Sequence, residues 1–431
     1  MSGANGEALV LRNYGLRFEA GLIREIAPYN ELAEAGAAAD IPCEFLDGHI
    51  LLPGLVNCHG HAGMSLLRGY ADDLPLQDWL EQHIWPLEGA LVNAEFVEHG
   101  SQLAIAEMLQ SGTTTFSDMY FFPDVLADAA VAAGMRAQIT FPVLEFASAW
   151  ANNAEEYLSK GLALMDAQRH NELLRIGFGT HAPYTVSDQT FQRVAVLAAE
   201  VDAPIQVHLQ ETAAEITQSK AEHGCSPVER LQRLGVLGPR AQAVHMVHFD
   251  ASDLLILSES GTSVVHCPAS NAKLASGYSN ISQLIAAGLA VGLGTDSAAS
   301  NNTLDLFDTA RLAALLAKQQ GDASALPAWQ CLHMATRGGA EVLGMGAQIG
   351  SLEVGKCADF IAVDTRNVAM QPLYEPASQL IYTAAGNAVT HSWIGGRCVL
   401  RERRLQSIDN NALLEQNATW RERILQWRAR Q

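Results

Sequence analysis

The stretch Leu51-Leu52-Pro53-Gly54-Leu55-Val56-Asn57-Cys58-His59-Gly60-His61 decides the fold. Its apolar part is typical of a buried strand, and it closes with two histidines spaced two residues apart. Side chains at positions i and i+2 of a strand project from the same face, so His59 and His61 are predicted to lie side by side. Paired imidazoles are half of a metal site, with a hydrogen-bonded structural pair as the alternative.

Seven more strand-like runs follow, separated by segments of helical period that include Ala94–Gln110, Ser187–Val201 and Thr303–Gln319. This alternation predicts βα units with a parallel sheet, and eight units predict an α/β chain with a (β/α)8 TIM barrel. The eight predicted strands are Leu55–His61, Thr113–Met119, Ala137–Val143, Arg175–Ala182, Pro204–Glu211, Ala243–Phe249, Thr262–Pro268 and Ala290–Asp296.

The two ends of the chain differ from its middle. They contain short segments of alternating residue type, such as Ala8–Leu11 and Asp359–Val363, which lie between glycine-containing pairs typical of turns. We expect residues 1–53 and 350–431 to form one small β-sandwich domain built from both termini, and residues 54–349 to form the barrel. The final stretch, Asn411–Arg430, has the apolar spacing of a surface helix.

Composition excludes several function classes. The 27 basic and 47 acidic residues give a net charge of −20, which repels nucleic acid and anionic membrane surfaces. Seven cysteines without any C-x-x-C pair favour a reducing compartment over a disulfide framework. Because Met1–Glu7 carries no targeting signal and no long apolar run occurs, we expect a soluble cytoplasmic protein that binds neither nucleic acid nor membrane.

Candidate metal ligands lie near the ends of several predicted strands. Active sites of such barrels lie at the carboxyl ends of the strands, so these side chains are predicted to meet. Imidazole and carboxylate together suit a catalytic divalent ion, which lowers the pKa of bound water toward neutrality. The predicted ligands of one such ion are His59, His61, His208 and Asp296.

Two further side chains have candidate catalytic roles. Glu211 follows His208 by three residues and could pass a proton from the attacking water to the substrate; a helix N-terminal carboxylate is the alternative. His245, near the end of the sixth predicted strand, could orient the attacking water, with a core histidine as the alternative.

Six motifs along the chain carry a family resemblance. They are Pro53–His61 (PGLVNCHGH), His208–Thr212 (HLQET), Val244–His248 (VHMVH), Cys267–Asn271 (CPASN), Gly294–Asn302 (GTDSAASNN) and Gly350–Asp359 (GSLEVGKCAD). The chain resembles the amidohydrolase superfamily, and within it the 5-methylthioadenosine/S-adenosylhomocysteine deaminases and the related triazine and guanine hydrolases. The resemblance implies a metal-dependent hydrolase that deaminates the adenine ring of a nucleoside and assembles as a homo-oligomer, a dimer or larger.

The resemblance also implies specific roles in the site. Glu211 and Asp296 would transfer protons, with His245 beside the attacking hydroxide, while Glu88 would accept hydrogen bonds from ribose hydroxyls. Trp79 could wall the pocket or pack in the core. The candidate substrate-binding residues are Glu88, His181, Glu211, Asp296, Trp79 and Ser300.

The number and identity of the metal ions follow from two arguments. Binuclear relatives bridge two ions with a carboxylated lysine at a strand end, but the only lysine between His61 and His208 is Lys160, within the helical segment Glu155–Leu164. One ion per subunit is therefore predicted. Zinc is the expected ion, and iron, manganese and nickel suit the same ligands.

The segment after the third strand bears on substrate choice. Relatives that accept S-adenosylhomocysteine well are expected to hold its carboxylate with arginines there, yet none occurs between Arg136 and Arg169. Phe141, Phe146 and Trp150 suit a thioether methyl group instead. We expect 5'-methylthioadenosine, and adenosine too, to be better substrates, unless Arg136 itself or another subunit supplies the cation. A triazine or guanine-type hydrolase and a non-catalytic scaffold are the alternative functions.

Overall fold

The computed structural model describes residues 9–431, and eight parallel strands form a barrel in it. The strands in chain order are β1 Tyr14–Glu19, β2 Leu22–Pro28, β3 His49–Pro53, β4 Leu55–Asn57, β5 Thr113–Asp118, β6 Arg136–Val143, β7 Leu174–Thr180, β8 Ile205–Leu209, β9 Ala241–His245, β10 Ser263–His266, β11 Val291–Leu293, β12 Phe360–Asp364, β13 Val389–Ile394, β14 Arg397–Arg401 and β15 Arg404–Leu405. Strands β4 to β11 pair in sequence order, and each overlaps one of the eight predicted strands. The α/β barrel class is confirmed.

The first and last barrel strands meet through a hydrogen bond that the Cys58 N–H donates to the Leu293 carbonyl over 2.8 Å. The prediction that β4 extends to His61 is wrong, because the strand ends at Asn57 and a 3₁₀ helix begins at Ala62. His59 and His61 therefore lie in the turn at the barrel rim. Their rings still meet edge to face, with centroids 4.7 Å apart.

Helices separate the barrel strands. The α-helices are α1 Tyr29–Ala38, α2 Leu76–Trp79, α3 Trp85–Leu91, α4 Ala94–Gln110, α5 Pro123–Ala133, α6 Ala154–Gln168, α7 Asp188–Glu200, α8 Ala213–His223, α9 Pro227–Arg233, α10 Ala251–Ser260, α11 Pro268–Lys273, α12 Ile281–Ala286, α13 Ala298–Asn301, α14 Leu306–Lys318, α15 Ala328–Met334, α16 Arg337–Val342, α17 Pro376–Tyr382 and α18 Asn410–Arg428. Helix α18 packs on α4, where the Trp420 indole N–H donates to His99 Nδ1 over 2.9 Å. Among the described helices, none combines the length and apolarity that crossing a membrane requires.

Segments near both termini form antiparallel sheets. A five-stranded sheet has the order β15-β14-β13-β12-β3, and β1 pairs with β2. Residues 9–11 carry no strand, while Ala8 and the segment Met1–Glu7 lie outside the described residues. The division into residues 1–53 with 350–431 and residues 54–349 stays a prediction; the switch from β3 in one sheet to β4 in the other supports it.

Candidate active site

Four side chains that are far apart in the sequence converge at the carboxyl ends of the barrel strands. His59 Nε2 lies 3.1 Å from His208 Nε2 and 3.5 Å from Asp296 Oδ1. His61 Nε2 lies 3.2 Å from the same carboxylate oxygen. The fold therefore brings the whole predicted ligand set together within one buried cluster.

The three imidazoles are oriented by their other ring nitrogen. Each Nδ1 lies within hydrogen-bond distance of an oxygen, so each ring, when neutral, donates from Nδ1–H and keeps a free electron pair on Nε2. The acceptors are Met119 O for His61 at 2.5 Å, His181 O for His208 at 2.7 Å and Gln206 Oε1 for His59 at 2.7 Å. Three Nε2 electron pairs and one carboxylate pointing at one another are a donor set that fits a divalent cation.

The electrostatics of the cluster favour a positive charge at its centre. Burial raises the pKa of Asp296, but the contacts with the His59 and His61 imidazoles outweigh burial and bring the pKa well below its usual range. Burial lowers the pKa of His59 to about 4. For His61, burial is outweighed by the bond to Asp296, and the pKa rises to about 9. A bound cation could therefore replace the proton that His61 and Asp296 attract.

Glu211 lies beside the cluster, two residues beyond the end of β8. Its Oε1 accepts a hydrogen bond from the Ser276 hydroxyl over 3.2 Å, and its Oε2 lies 3.6 Å from His245 Nε2. Burial and the negative charge of Asp296 raise the pKa of Glu211 to about 8. The raised pKa favours the protonated carboxyl group near neutral pH, and that form can donate a proton. Nothing in the sequence pattern marks Ser276 as a partner of Glu211.

His245 ends β9 and faces the same space. Its Nδ1 lies 2.9 Å from Asn271 Oδ1, and its ring stacks on His208 with centroids 5.5 Å apart. Asn271 belongs to the CPASN motif, but the motif alone gave it no contact. A donated Nδ1–H leaves His245 Nε2 as an acceptor toward Glu211 and the site.

The candidate substrate contacts lie around the cluster. Glu88, in α3, accepts a hydrogen bond from the Tyr120 hydroxyl over 2.6 Å. The His181 ring lies 5.1 Å from the His208 ring, and the Ser300 hydroxyl donates to Asp296 Oδ2 over 3.1 Å. These positions agree with the predicted contacts, whose roles stay predictions.

Trp79 lies in a different environment. It is 5% exposed and packs in an apolar cluster with Leu67, Ile84, Leu87 and Phe96. This placement favours the core-packing alternative for Trp79, and a substrate contact stays a prediction.

The apolar residues proposed for the substrate tail are mostly elsewhere. Phe141 is fully buried against Phe178, with ring centroids 4.9 Å apart, because it points out of the barrel toward α6. Trp150 is buried against Tyr157. The interpretation that Phe141 and Trp150 receive a thioether methyl group is therefore wrong, and Phe146 alone is exposed.

Two cations considered in the sequence analysis are also remote from the cluster. Lys160 lies in α6 and pairs with Glu156 over 2.7 Å. Arg136 opens β6, at the opposite end of the barrel, and pairs with Asp359 over 2.8 Å. Lys160 is therefore not placed to bridge two metal ions, and Arg136 is not the hidden cation for a substrate carboxylate.

Comparisons with known proteins agree with this geometry. The model of the Amidohydrolase family matches residues 50–399. A 5-methylthioadenosine/S-adenosylhomocysteine deaminase from Saccharophagus degradans is 49% identical over 385 residues, covering 89% of this chain and 86% of that protein. A 5'-deoxyadenosine deaminase from Methanothermobacter thermautotrophicus is 40% identical over 369 residues, covering 85% and 86%. The crystal structure of an adenosine deaminase from Xanthomonas campestris with bound zinc is 43% identical, has a TM-score of 0.94 and covers 98% of this chain and 96% of that one.

Proposed function

The chain belongs to the amidohydrolase family, and we propose that it hydrolytically deaminates the adenine ring of a nucleoside. 5'-Methylthioadenosine, which would become 5'-methylthioinosine, is the preferred substrate, followed by adenosine, with S-adenosylhomocysteine poorer. The observation that carries this proposal is the buried Glu211 carboxyl group beside three converging imidazoles and the Asp296 carboxylate. The names of the Saccharophagus, Methanothermobacter and Xanthomonas proteins support the substrate class.

One zinc ion is the cofactor that this donor set fits. His59, His61, His208 and Asp296 would hold it, since their free nitrogen pairs and anionic oxygen already face one another. When bound, the ion would supply Lewis acidity, which makes a water molecule acidic enough to lose a proton near neutral pH. The zinc of the Xanthomonas structure supports this choice of metal.

The chain's own residues would move the protons. Glu211, whose pKa burial raises to about 8, would donate its carboxyl proton to the ring nitrogen next to the reacting carbon. The Asp296 carboxylate would accept the proton of the attacking water, and His245 Nε2 would orient that water. The amino group would take the proton held by Asp296 and leave as ammonia, and the hydroxyl on the reacting carbon would return a proton to Glu211. Adenine and water then give hypoxanthine and ammonia.

Two side chains would bind the nucleoside beside the reacting ring. The Glu88 carboxylate can accept hydrogen bonds from both vicinal ribose hydroxyls. His181 follows β7 directly, and Thr185 Oγ1 holds its Nδ1 at 2.9 Å, so its Nε2 is left for the substrate. These contacts would fix the nucleoside relative to Glu211.

We infer a cytoplasmic homo-oligomer that binds neither nucleic acid nor membrane. All seven cysteines are free thiols, which supports a reducing compartment. The net charge of −20 supports the absence of polyanionic partners. The resemblance to the deaminases supports the oligomer, and sedimentation of the purified protein tests it.

A nucleoside panel tests the proposed function. Purified protein is assayed for ammonia release from 5'-methylthioadenosine, adenosine, S-adenosylhomocysteine, guanine and melamine, and for chloride release from atrazine. Every assay is run with and without a chelator, followed by addition of zinc. We expect nucleoside deamination that the chelator abolishes and zinc restores. Turnover of guanine or a triazine without any nucleoside activity would contradict the proposal in favour of the alternative hydrolase.

A further inference from the structure

Three buried glutamines cross the barrel interior directly beneath the histidine cluster. Gln138 lies in β6, Gln206 in β8 and Gln242 in β9, and each is 2% exposed or less. A buried primary amide costs free energy unless its groups are hydrogen-bonded. Their contacts therefore constrain which end of each amide is nitrogen and which is oxygen.

The direction of these bonds is set first at Gln242. Its Nε2 donates to the backbone carbonyl of Val342, the last residue of α16, over 3.1 Å. A carbonyl oxygen only accepts, so the nitrogen of Gln242 must face it. The Oε1 of Gln242 consequently faces the other two glutamines and accepts from Gln206 over 2.9 Å and from Gln138 over 2.8 Å.

A second backbone carbonyl fixes Gln206 independently. Gln206 Nε2 donates to the Cys58 carbonyl over 3.1 Å as well as to Gln242. Both neighbours require a donor, so the amide nitrogen points toward them. The Gln206 Oε1 is thereby directed at His59 Nδ1, 2.7 Å away.

His59 differs from the other two converging imidazoles in this respect. His61 and His208 donate to backbone carbonyls, and a carbonyl oxygen can only accept a hydrogen bond. His59 instead faces a side-chain amide, which would present a donor if it were turned by 180°. His59 Nδ1 would then have to accept, its proton would lie on Nε2, and Nε2 would lose the electron pair that a cation needs.

We propose that Gln206, held in one orientation by Gln242 and the Cys58 carbonyl, is a positioning residue that sets the His59 tautomer required for cation binding. The proposal rests on the metal site of the proposed function. A series of hydrogen bonds then links His59 at the rim of the barrel to the end of α16, through Gln206, Gln242 and the Val342 carbonyl. None of these groups touches the substrate or the reacting atoms.

Zinc affinity of the metal-free protein tests the proposal without any activity assay. We compare the parent with Gln206→Met, which keeps the side-chain length but removes the acceptor for His59. The expected result is a zinc dissociation constant about 10- to 100-fold higher, measured by competition with a chelator of known affinity. Gln206→Glu keeps an acceptor oxygen for His59, so it is expected to bind zinc more tightly than Gln206→Met does.

Gln138→Met is the matched control. Gln138 is equally buried in the same row, but it bonds to Ser117 and Gln242 and not to His59. We expect it to lower the thermal midpoint as Gln206→Met does and to leave the zinc dissociation constant within about threefold of the parent. Equal zinc affinity in the parent and Gln206→Met, or an equal loss in both Met variants, would overturn the proposal. A parent protein that binds no zinc would instead contradict the proposed function.

The tautomer can also be read in the parent, whose folding is not in question. Nitrogen-15 histidine spectra of the metal-free protein distinguish protonated from unprotonated ring nitrogens, and His59→Gln identifies the signal. We expect Nδ1 of His59 to carry the proton and Nε2 to be bare. A proton on Nε2 of His59 would refute the inference even if the Gln206 variants failed to fold.

Discussion

Arg136 and Asp359 form a buried two-point ion pair. Arg136 Nε donates to Asp359 Oδ2 over 2.8 Å, and Nη2 donates to Oδ1 over 3.3 Å. Arg136 Nη1 also donates to the Glu172 carbonyl over 2.8 Å. Because Arg136 opens β6 and Asp359 precedes β12, the pair joins the amino end of the barrel to the five-stranded sheet.

Arg136→Met is expected to lower the free energy of unfolding by about 3–5 kcal/mol, because it leaves the Asp359 carboxylate buried without a partner. Urea denaturation followed by circular dichroism measures the change. Arg169→Met is the control, since Arg169 forms an exposed pair with Asp166 and should change the stability by less than about 1 kcal/mol. Equal midpoints for Arg136→Met and the parent would show that the pair contributes nothing.

Glu211→Gln is expected to lower kcat by about 10²- to 10⁴-fold, because the amide cannot donate and recover a proton as the carboxyl group does. Zinc content should stay at the parent level, since Glu211 is outside the four converging ligands. Glu222→Gln, on the exposed end of α8, is the control and should retain the parent kcat. Unimpaired turnover by Glu211→Gln would remove this residue from the proton transfer.

Binding of the ribose should depend on pH through Glu88. Burial raises the pKa of Glu88 to about 7, although the hydrogen bond from Tyr120 acts in the opposite direction. A raised carboxyl pKa keeps the group neutral below that value, and only the charged form above it accepts fully from two hydroxyls. KM for adenosine should therefore fall about tenfold as the pH rises from about 6 to about 8.

Two controls separate the Glu88 effect from other titrations. Glu88→Gln has no ionisable group at this position, and 2',3'-dideoxyadenosine has no hydroxyls to bind. With either the variant or the dideoxynucleoside, KM should not change between about pH 6 and about pH 8. Using the variant and the dideoxynucleoside together should give the same result. The same fall in KM for dideoxyadenosine as for adenosine would assign the titration to another group.

The ratio of kcat/KM for 5'-methylthioadenosine to that for S-adenosylhomocysteine should exceed one. The carboxylate of the longer substrate needs a cation, and Arg136, which opens the third barrel strand, is already paired with Asp359. Steady-state kinetics with both nucleosides measure the ratio, and adenosine reports the contribution of the tail itself. A higher kcat/KM for S-adenosylhomocysteine would mean that a residue elsewhere binds its carboxylate.

The barrel could be predicted from the sequence because each strand is a short apolar run that ends in polar residues at a similar place. The end of β4 could not be predicted from the sequence. The two-residue spacing of His59 and His61 continues the strand pattern, although the backbone has already left the sheet after Asn57. Phe141 was misplaced for a different reason. In β6, Gln138 and Thr140 face the interior, so the two-residue period already directs Phe141 outward.

The candidate ligands were predictable because active sites of such barrels lie at the carboxyl ends of the strands, where histidines and a carboxylate recur in the sequence. The side chains that orient these ligands were not predictable. Gln206 precedes His208 by two residues, which places both side chains on the interior face of β8. Nothing in the spacing shows that its amide reaches His59 rather than solvent. Asn271 and Ser276 likewise depend on how the segments after β10 turn toward β9, which only the folded chain shows.

The junction of the first and last barrel strands has a consequence for biosynthesis. Asn57 Nδ2 donates to Thr295 Oγ1 over 2.7 Å across 238 residues of sequence, and His59 and Asp296 flank that bond. A chain still being translated, whose last barrel strand has not yet left the ribosome, therefore has the three histidines but not the Asp296 carboxylate. The four-ligand site can therefore be complete only after translation has passed Asp296, when the first and last strands of the barrel can meet.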